Sequence, residues 1–162
     1  MICLLTSADL PQAITVLQTV KKHMIEQGID QWDEAYPTPE ILANDIVNKQ
    51  AFAYFEQDKL IAYMVLNELC DPEYDDIQWQ YAPPFLVMHR LFVCPSQQGK
   101  GISSKMLAFV EQYAKQQQYN SIRFDTYAKN PTANAVYTKK NYRFAGTVTF
   151  SKGLFNCFEK QL

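Results

Sequence analysis

Between Phe85 and Gln117 the chain passes from a strand pattern through a two-glycine turn into a long amphipathic helix pattern. An apolar run, Phe85–Val93, is closed by Pro95, passes through Gln98-Gly99-Lys100-Gly101, and enters a long helical pattern from about Lys100 to Gln117. In that pattern Ile102, Met106, Phe109, Val110 and Tyr113 recur on one face. The first amides of a helix have no intrahelical acceptor, and the helix dipole favours negative charge beside them. Gly99 and Gly101 let the backbone approach a phosphate closely, while Lys100 and the hydroxyls of Ser103 and Ser104 add charge and hydrogen bonds. On these residues alone an ordinary strand-to-helix turn is the plain alternative. Two nucleotide patterns are excluded. No Gly-x-x-x-x-Gly-Lys-Ser/Thr spacing occurs, and the third glycine of Gly-x-Gly-x-x-Gly is replaced by Ser104.

The flanking segments predict a mixed α/β fold in one domain spanning residues 1–162. Ile2–Thr6 reads as a strand, and Ser7 or Asp9 caps a helix with Ile14, Leu17, Val20 and Met24 on one stripe, ended by Gly28. A polar and aromatic loop, 30–37, precedes a short helix from Thr38 or Pro39 to about Lys49. Ala51–Glu56 and Leu60–Leu66 form a hairpin, and the proline- and acid-rich stretch 69–84 reads as a long loop. Past the glycine turn and its helix, Ser121–Tyr127 is a strand. Asn130-Pro131 supplies an N-cap and an N1 proline for a helix to about Lys140, and Arg143–Phe150 and Leu154–Glu159 close as strands.

Net charge is −2, which argues against a nucleic-acid coat, but the total conceals a division. Residues 1–85 hold 4 Lys/Arg against 14 Asp/Glu, and residues 86–162 hold 11 against 3. The basic half suits an anionic ligand and the acidic half a cationic one, with scattered surface charge as the alternative. The cysteines Cys3, Cys70, Cys94 and Cys157 form no Cys-x-x-Cys pair, and with two histidines in the chain a metal site has no support. Buried thiols in a reducing compartment, no signal peptide and no membrane-spanning run together predict a cytoplasmic protein.

Gln98-Gly99-Lys100-Gly101-Ile102-Ser103 resembles the coenzyme A turn of the GNAT superfamily of N-acetyltransferases, Gln/Arg-x-x-Gly-x-Gly/Ala, with Ser103 at the final small position. A second stretch, Asn130-Pro131-Thr132-Ala133-Asn134-Ala135-Val136-Tyr137-Thr138-Lys139-Lys140-Asn141-Tyr142, resembles the family's Asn-x-x-Ala-x-x-x-Tyr-x-Lys-x-Gly-Phe signature. Asn141 replaces its glycine and tolerates the left-handed backbone that a helix end requires. Coenzyme-binding motifs thus fall within 86–142. The resemblance implies a GNAT-like domain with a central, mixed, mostly antiparallel sheet flanked by about four helices. It implies acetyl-CoA as cosubstrate, no metal, and direct transfer to a primary amine of a small molecule or peptide. Many family members dimerise, so a homodimer is compatible with it.

Direct transfer needs a fixed thioester, a polarised carbonyl, a deprotonated amine and a protonated leaving thiolate. By resemblance, amides of Leu91, Phe92 and Val93 face the pantetheine and acetyl carbonyl, Gln98 to Ser104 hold the pyrophosphate, and Asn130 and Ala133 touch the coenzyme. Tyr137 is assigned to protonate the thiolate, with a core tyrosine as the alternative. His89, from its intrinsic pKa, is a candidate base, with Glu68 and a water chain competing. Asp125 alternates with Arg123, which predicts an ion pair or edge contact in place of a catalytic role. Trp32, Tyr36, Trp79 and the neighbouring acids suit an ammonium acceptor, against loop solvation and aromatic packing. Two other functions compete: a non-catalytic acyl-CoA sensor or interaction module on the same fold, and a nucleic-acid module, which the acidic half opposes.

Overall fold

The computed structural model describes residues 1–162 and contains seven strands and four α-helices. In chain order these are β1 (Ile2–Leu4), α1 (Leu10–Glu26), α2 (Pro39–Val47), β2 (Ala51–Glu56), β3 (Lys59–Asn67), β4 (Phe85–Val93), α3 (Ile102–Gln116), β5 (Ser121–Tyr127), α4 (Pro131–Lys139), β6 (Arg143–Phe150) and β7 (Gly153–Gln161). Hydrogen bonding runs in the order β1-β2-β3-β4-β5-β7-β6, and the sheet is mixed, with β4 and β5 parallel. The expected α/β class and its four helices are therefore present. Contacts divide the chain into two compact units, each built from two segments, and each is described by itself.

The first unit comprises 1–66 and 90–106. β1, β2 and β3 pair antiparallel, with Cys3 opposite Ala53 and Ala53 opposite Tyr63. β-branched and aromatic residues favour that pleat, and β3 is buried on both faces from Leu60 to Leu66. On α1 the buried stripe is Ala13, Leu17 and Val20, with Ile14 and Met24 only half-buried at its margins. These join Leu42, Ile46, Tyr63 and Phe92 in one core. Each such side chain contributes about 1.5–3 kcal/mol by leaving water. The entry to α1 differs from expectation. Thr6 begins a 3-10 turn there, and the Asp9 carboxylate accepts from the Thr6 amide at 2.8 Å and its hydroxyl at 2.7 Å.

The second unit comprises 67–89 and 107–162. β5 and β6 both pair antiparallel with β7, so Phe124 and Phe144 each lie opposite Phe158. Phe124 lies 4.4 Å from the Tyr137 ring, 5.0 Å from Tyr142 and 5.8 Å from Phe158. On α3 the buried positions of this unit are Leu107, Val110 and Ala114, whereas Phe109 and Tyr113 are half-buried and stack on each other at 6.1 Å. The long loop 69–84 is not loose. It contains a 3-10 turn at Pro72–Asp76, and Gln80 donates its amide to Glu159 at 2.8 Å, while Arg123 donates to the Tyr81 carbonyl at 2.5 Å. No helix is long and apolar enough to cross a membrane. The cysteines are all free thiols, and against expectation only Cys157 is buried, with Cys70 exposed.

Candidate functional site

β4 ends at Val93, a 3-10 turn covers Pro95–Gln97, and Gln98 anchors the loop by donating its side-chain amide to the Val93 carbonyl at 3.2 Å. Gly99 and Gly101 then adopt φ of 76° and 78°, a region that strains any side chain. The first bond of α3 runs from the Lys105 amide to the Gly101 carbonyl at 3.1 Å. Amides of Ile102, Ser103 and Ser104 lie ahead of it and have no acceptor in the helix. A Cβ built on Gly99 or Gly101 meets nothing within 4 Å, so it is the left-handed backbone and not crowding that calls for glycine at both positions. Unpaired amides and the positive helix end together fit a pyrophosphate. Lys100 bonds Gln97 Oε1 at 2.9 Å and is exposed, free to swing toward an anion.

Upstream, Arg90 has φ of 51° inside β4, a kink that interrupts the strand's alternation. Leu91, Phe92 and Val93 follow it directly, with Phe92 and Val93 buried and Leu91 half-buried. Arg90 is pinned. Its Nη2 lies 2.6 Å from Asp45 Oδ1 on α2, its Nε donates to Oδ2 at 3.0 Å, and its Nη1 donates to the Tyr36 hydroxyl at 3.0 Å. The Tyr63 hydroxyl also donates to Asp45 Oδ2, at 2.8 Å.

In the second unit, Asn130 caps α4 by accepting from the Ala133 amide at 3.1 Å, with Pro131 at the first helical position. Asn141 ends the helix at φ of 61°, as its tolerance of that region predicts. Tyr137 is buried, its ring gripped by Phe124 and Phe158, while its hydroxyl makes no hydrogen bond to protein. Burial, and then the Asp125 carboxylate, push its phenol well above the ordinary range, so it stays protonated.

The GNAT acetyltransferase family model matches residues 17–142 of this chain. The chain belongs to the GNAT acetyltransferase family. Similar solved structures include a GNAT acetyltransferase of Streptococcus agalactiae, 23% identical with a TM-score of 0.87, covering 100% of this chain and 95% of that one. Another is the PaiA N-acetyltransferase of Thermoplasma acidophilum in complex with coenzyme A, 19% identical, TM-score 0.75, covering 100% and 98%. A third is the ribosomal-protein-S18-alanine N-acetyltransferase of Escherichia coli, 16% identical, TM-score 0.68, covering 98% and 90%. No curated protein matches by sequence. The GNAT fold uses acetyl-CoA, and no group of three or more His, Cys, Asp or Glu is arranged to hold a metal ion.

Within this GNAT chain the remaining candidates separate. His89 is half-buried with Nε2 2.9 Å from Asn67 Oδ1. Glu68 is exposed and accepts from the Tyr119 hydroxyl at 2.6 Å, and Tyr119 is pushed up to about 12 by burial and by that bond. Trp32 is a core residue, edge-on to Phe92 at 5.9 Å, and sequence misplaced it because its neighbours are polar. Trp79 already carries the Arg123 guanidinium over its ring at 4.6 Å. Tyr36 is exposed, but its hydroxyl accepts from Arg90. Asp33 closes its own loop by accepting from the Ala35 and Tyr36 amides at 2.9 and 3.2 Å. Trp32, Trp79 and Asp33 are thus committed to structure, whereas Glu34, Glu73, Asp75 and Asp76 are exposed.

Of the two expectations for Arg123 and Asp125, an ion pair or an edge contact, the ion pair is absent. Arg123 bonds Tyr81 and packs on Phe85, with its guanidinium carbon 3.9 Å from the ring centroid, whereas Asp125 Oδ2 accepts from the Tyr74 hydroxyl at 2.6 Å. Tyr74 is 51 residues away from Asp125, which is why no local spacing signalled the pair.

Proposed function

We propose that this chain is an N-acetyltransferase that moves the acetyl group of acetyl-CoA directly to a primary amine of a small molecule or peptide. The observation carrying this reading is the Gly99–Gly101 turn, whose two left-handed glycines lead directly into the first amides of α3, which have no acceptor in the helix. Acetyl-CoA supplies an activated thioester. Gln98 to Ser104 bind its pyrophosphate, Leu91 to Val93 orient its pantetheine arm and acetyl carbonyl, and Asn130 and Ala133 contact it from α4. Tyr137 holds a proton at Oη for the departing sulfur: its ring is fixed by packing and its hydroxyl has no competing protein partner. The raised pKa keeps that proton in place at rest, at the cost of a steeper transfer to a thiol near ~8.5. Among the acceptor candidates, Tyr36 retains the most exposed ring, and Trp32 and Trp79 are structural.

A thiol-release assay with acetyl-CoA and a panel of amines tests the reading. Amine-dependent release is expected, and Tyr137→Phe should lower turnover about 10²- to 10⁴-fold while coenzyme affinity is retained. Coenzyme binding without release for any amine would leave the non-catalytic sensor instead. Unchanged turnover in Tyr137→Phe would remove the proton-donor role alone.

A further inference from the structure

Asp125 and Tyr137 share a circumstance within the second unit. Each is packed into the fold by one end and left uncommitted at the reactive atom. Asp125 Oδ2 holds the Tyr74 hydroxyl, while Oδ1 has no protein partner and is not among the sealed orphan atoms, which are Ser121 Oγ, Arg123 Nε and Glu159 Oε2. Its place on the strand is also informative. β4 and β5 pair in parallel register only from Phe85↔Ser121 to Val87↔Arg123. Two residues further on, on the same faces, stand His89 and Asp125. Open α/β sheets bind ligands beyond the carboxyl ends of parallel strands that part in this way.

Resting on the acetyltransferase reading, we infer that Asp125 is the general base that takes the proton from the acceptor nitrogen, and that Tyr74 is the positioning residue that aims its carboxylate. The titratable groups that interact with Asp125 are Tyr74 and Asp71 from the 69–84 segment, Cys157 paired with it on β7, and, electrostatically, the Tyr137 phenol of α4. None is a cation, and Arg123, the nearest basic side chain on its own strand, is turned to Tyr81 and Phe85. Burial therefore dominates and pushes the carboxyl up to about 6, with the Tyr74 hydrogen bond opposing and Asp71 assisting. A base poised there is ionised at neutral pH yet able to accept a proton.

The proton accounting closes. The acceptor enters as a neutral amine. Its nitrogen bonds the acetyl carbon and gives its surplus proton to Asp125. The carbon–sulfur bond breaks with its electron pair on sulfur, and sulfur takes the Tyr137 proton. The Asp125–Tyr137 pair carries one negative charge before and after, and it is restored when one proton passes from the carboxyl to the phenolate. The carboxylate charge that adds to burial in keeping Tyr137 protonated at rest is thus neutralised in the step that needs Tyr137 to be acidic.

The test is the pH profile of kcat/KM for thiol release, using acetyl-CoA and the best amine of the panel. Wild type should show an acid limb near pH 6. Asp125→Asn, whose fold is checked by thermal melting, should lose about 10²- to 10⁴-fold in kcat and lose the limb. Tyr74→Phe should keep measurable turnover but shift the limb to higher pH, because it removes the bond that favours the carboxylate. His89→Gln should retain the limb. A limb that survives in folded Asp125→Asn, or vanishes in His89→Gln, overturns the inference while leaving acetyl transfer intact. No amine-dependent release by wild type would refute the acetyltransferase reading itself, and the base assignment with it.

Discussion

Asp125 shows how a single side chain trades stability for reactivity. Its folded carboxyl is raised from the ordinary 3.8 to about 6 because burial penalises the ion. The folded state therefore binds more protons than the unfolded chain between those values. Stability from this group is fully present below about pH 4 and is lost as pH rises through 6. At pH 7 holding the ion inside the fold costs about 2–3 kcal/mol. Asn at this position removes the charge and keeps an acceptor for the Tyr74 hydroxyl. Asp125→Asn should accordingly melt several degrees above wild type at pH 7, with the advantage shrinking toward pH 4. Melting curves across that range check it. A variant that melts below wild type at pH 7 would mean that the Tyr74 bond outweighs desolvation.

At the level of elements, the kink in β4 is a long-range construction. A non-glycine residue at positive φ costs about 1–2 kcal/mol, and Arg90 sustains it through its two-pronged grip on Asp45 of α2. Arg90→Met would leave the Asp45 carboxylate and the Tyr63 hydroxyl inside without their cation, at about 3–5 kcal/mol. Urea denaturation should show that loss, and Arg90→Met with Asp45→Leu should cost less than Arg90→Met alone. A loss under about 1 kcal/mol would rank the pair with exposed ion pairs. This grip also marks the limit of what sequence carries. The bounds of β4, β5 and β6, the Asn130 cap and the glycine turn were legible because each depends on residues within a few positions of one another. The Arg90–Asp45 grip and the Tyr74–Asp125 bond span 45 and 51 residues, so no local spacing encodes them. Trp32 misled for a related reason: polar neighbours describe the surface of its loop, whereas the ring turns inward to Phe92.

For the molecule as a whole, the division of charge is partly explained by structure. In the acidic half, Asp9 caps the 3-10 turn before α1, Asp33 closes a loop and Asp45 holds Arg90, so these carboxylates are not waiting for a cation. In the basic half, Lys160 is tied to Glu111 at 2.8 Å and to the Lys140 carbonyl at 3.0 Å. Of the other basic side chains in this half, Lys100 is the one that stands beside the unpaired amides of α3. Backbone dipoles at a helix end act at contact distance, whereas an exposed lysine acts through solvent that salt screens, with a Debye length of about 10 Å at 0.1 M and about 3 Å at 1 M. Coenzyme A affinity should therefore fall only a few-fold between 0.1 and 1 M salt. Lys100→Ala should weaken binding by less than about tenfold, near the ~1 kcal/mol of a surface charge. Gly101→Val should weaken it more than Lys100→Ala does, because a β-branched residue at φ of 78° must move the amides themselves. Calorimetric titration with coenzyme A ranks the two. Lys100→Ala as the more damaging change, with steep salt dependence, would assign the pyrophosphate to side-chain charge and remove the amide turn from its central role.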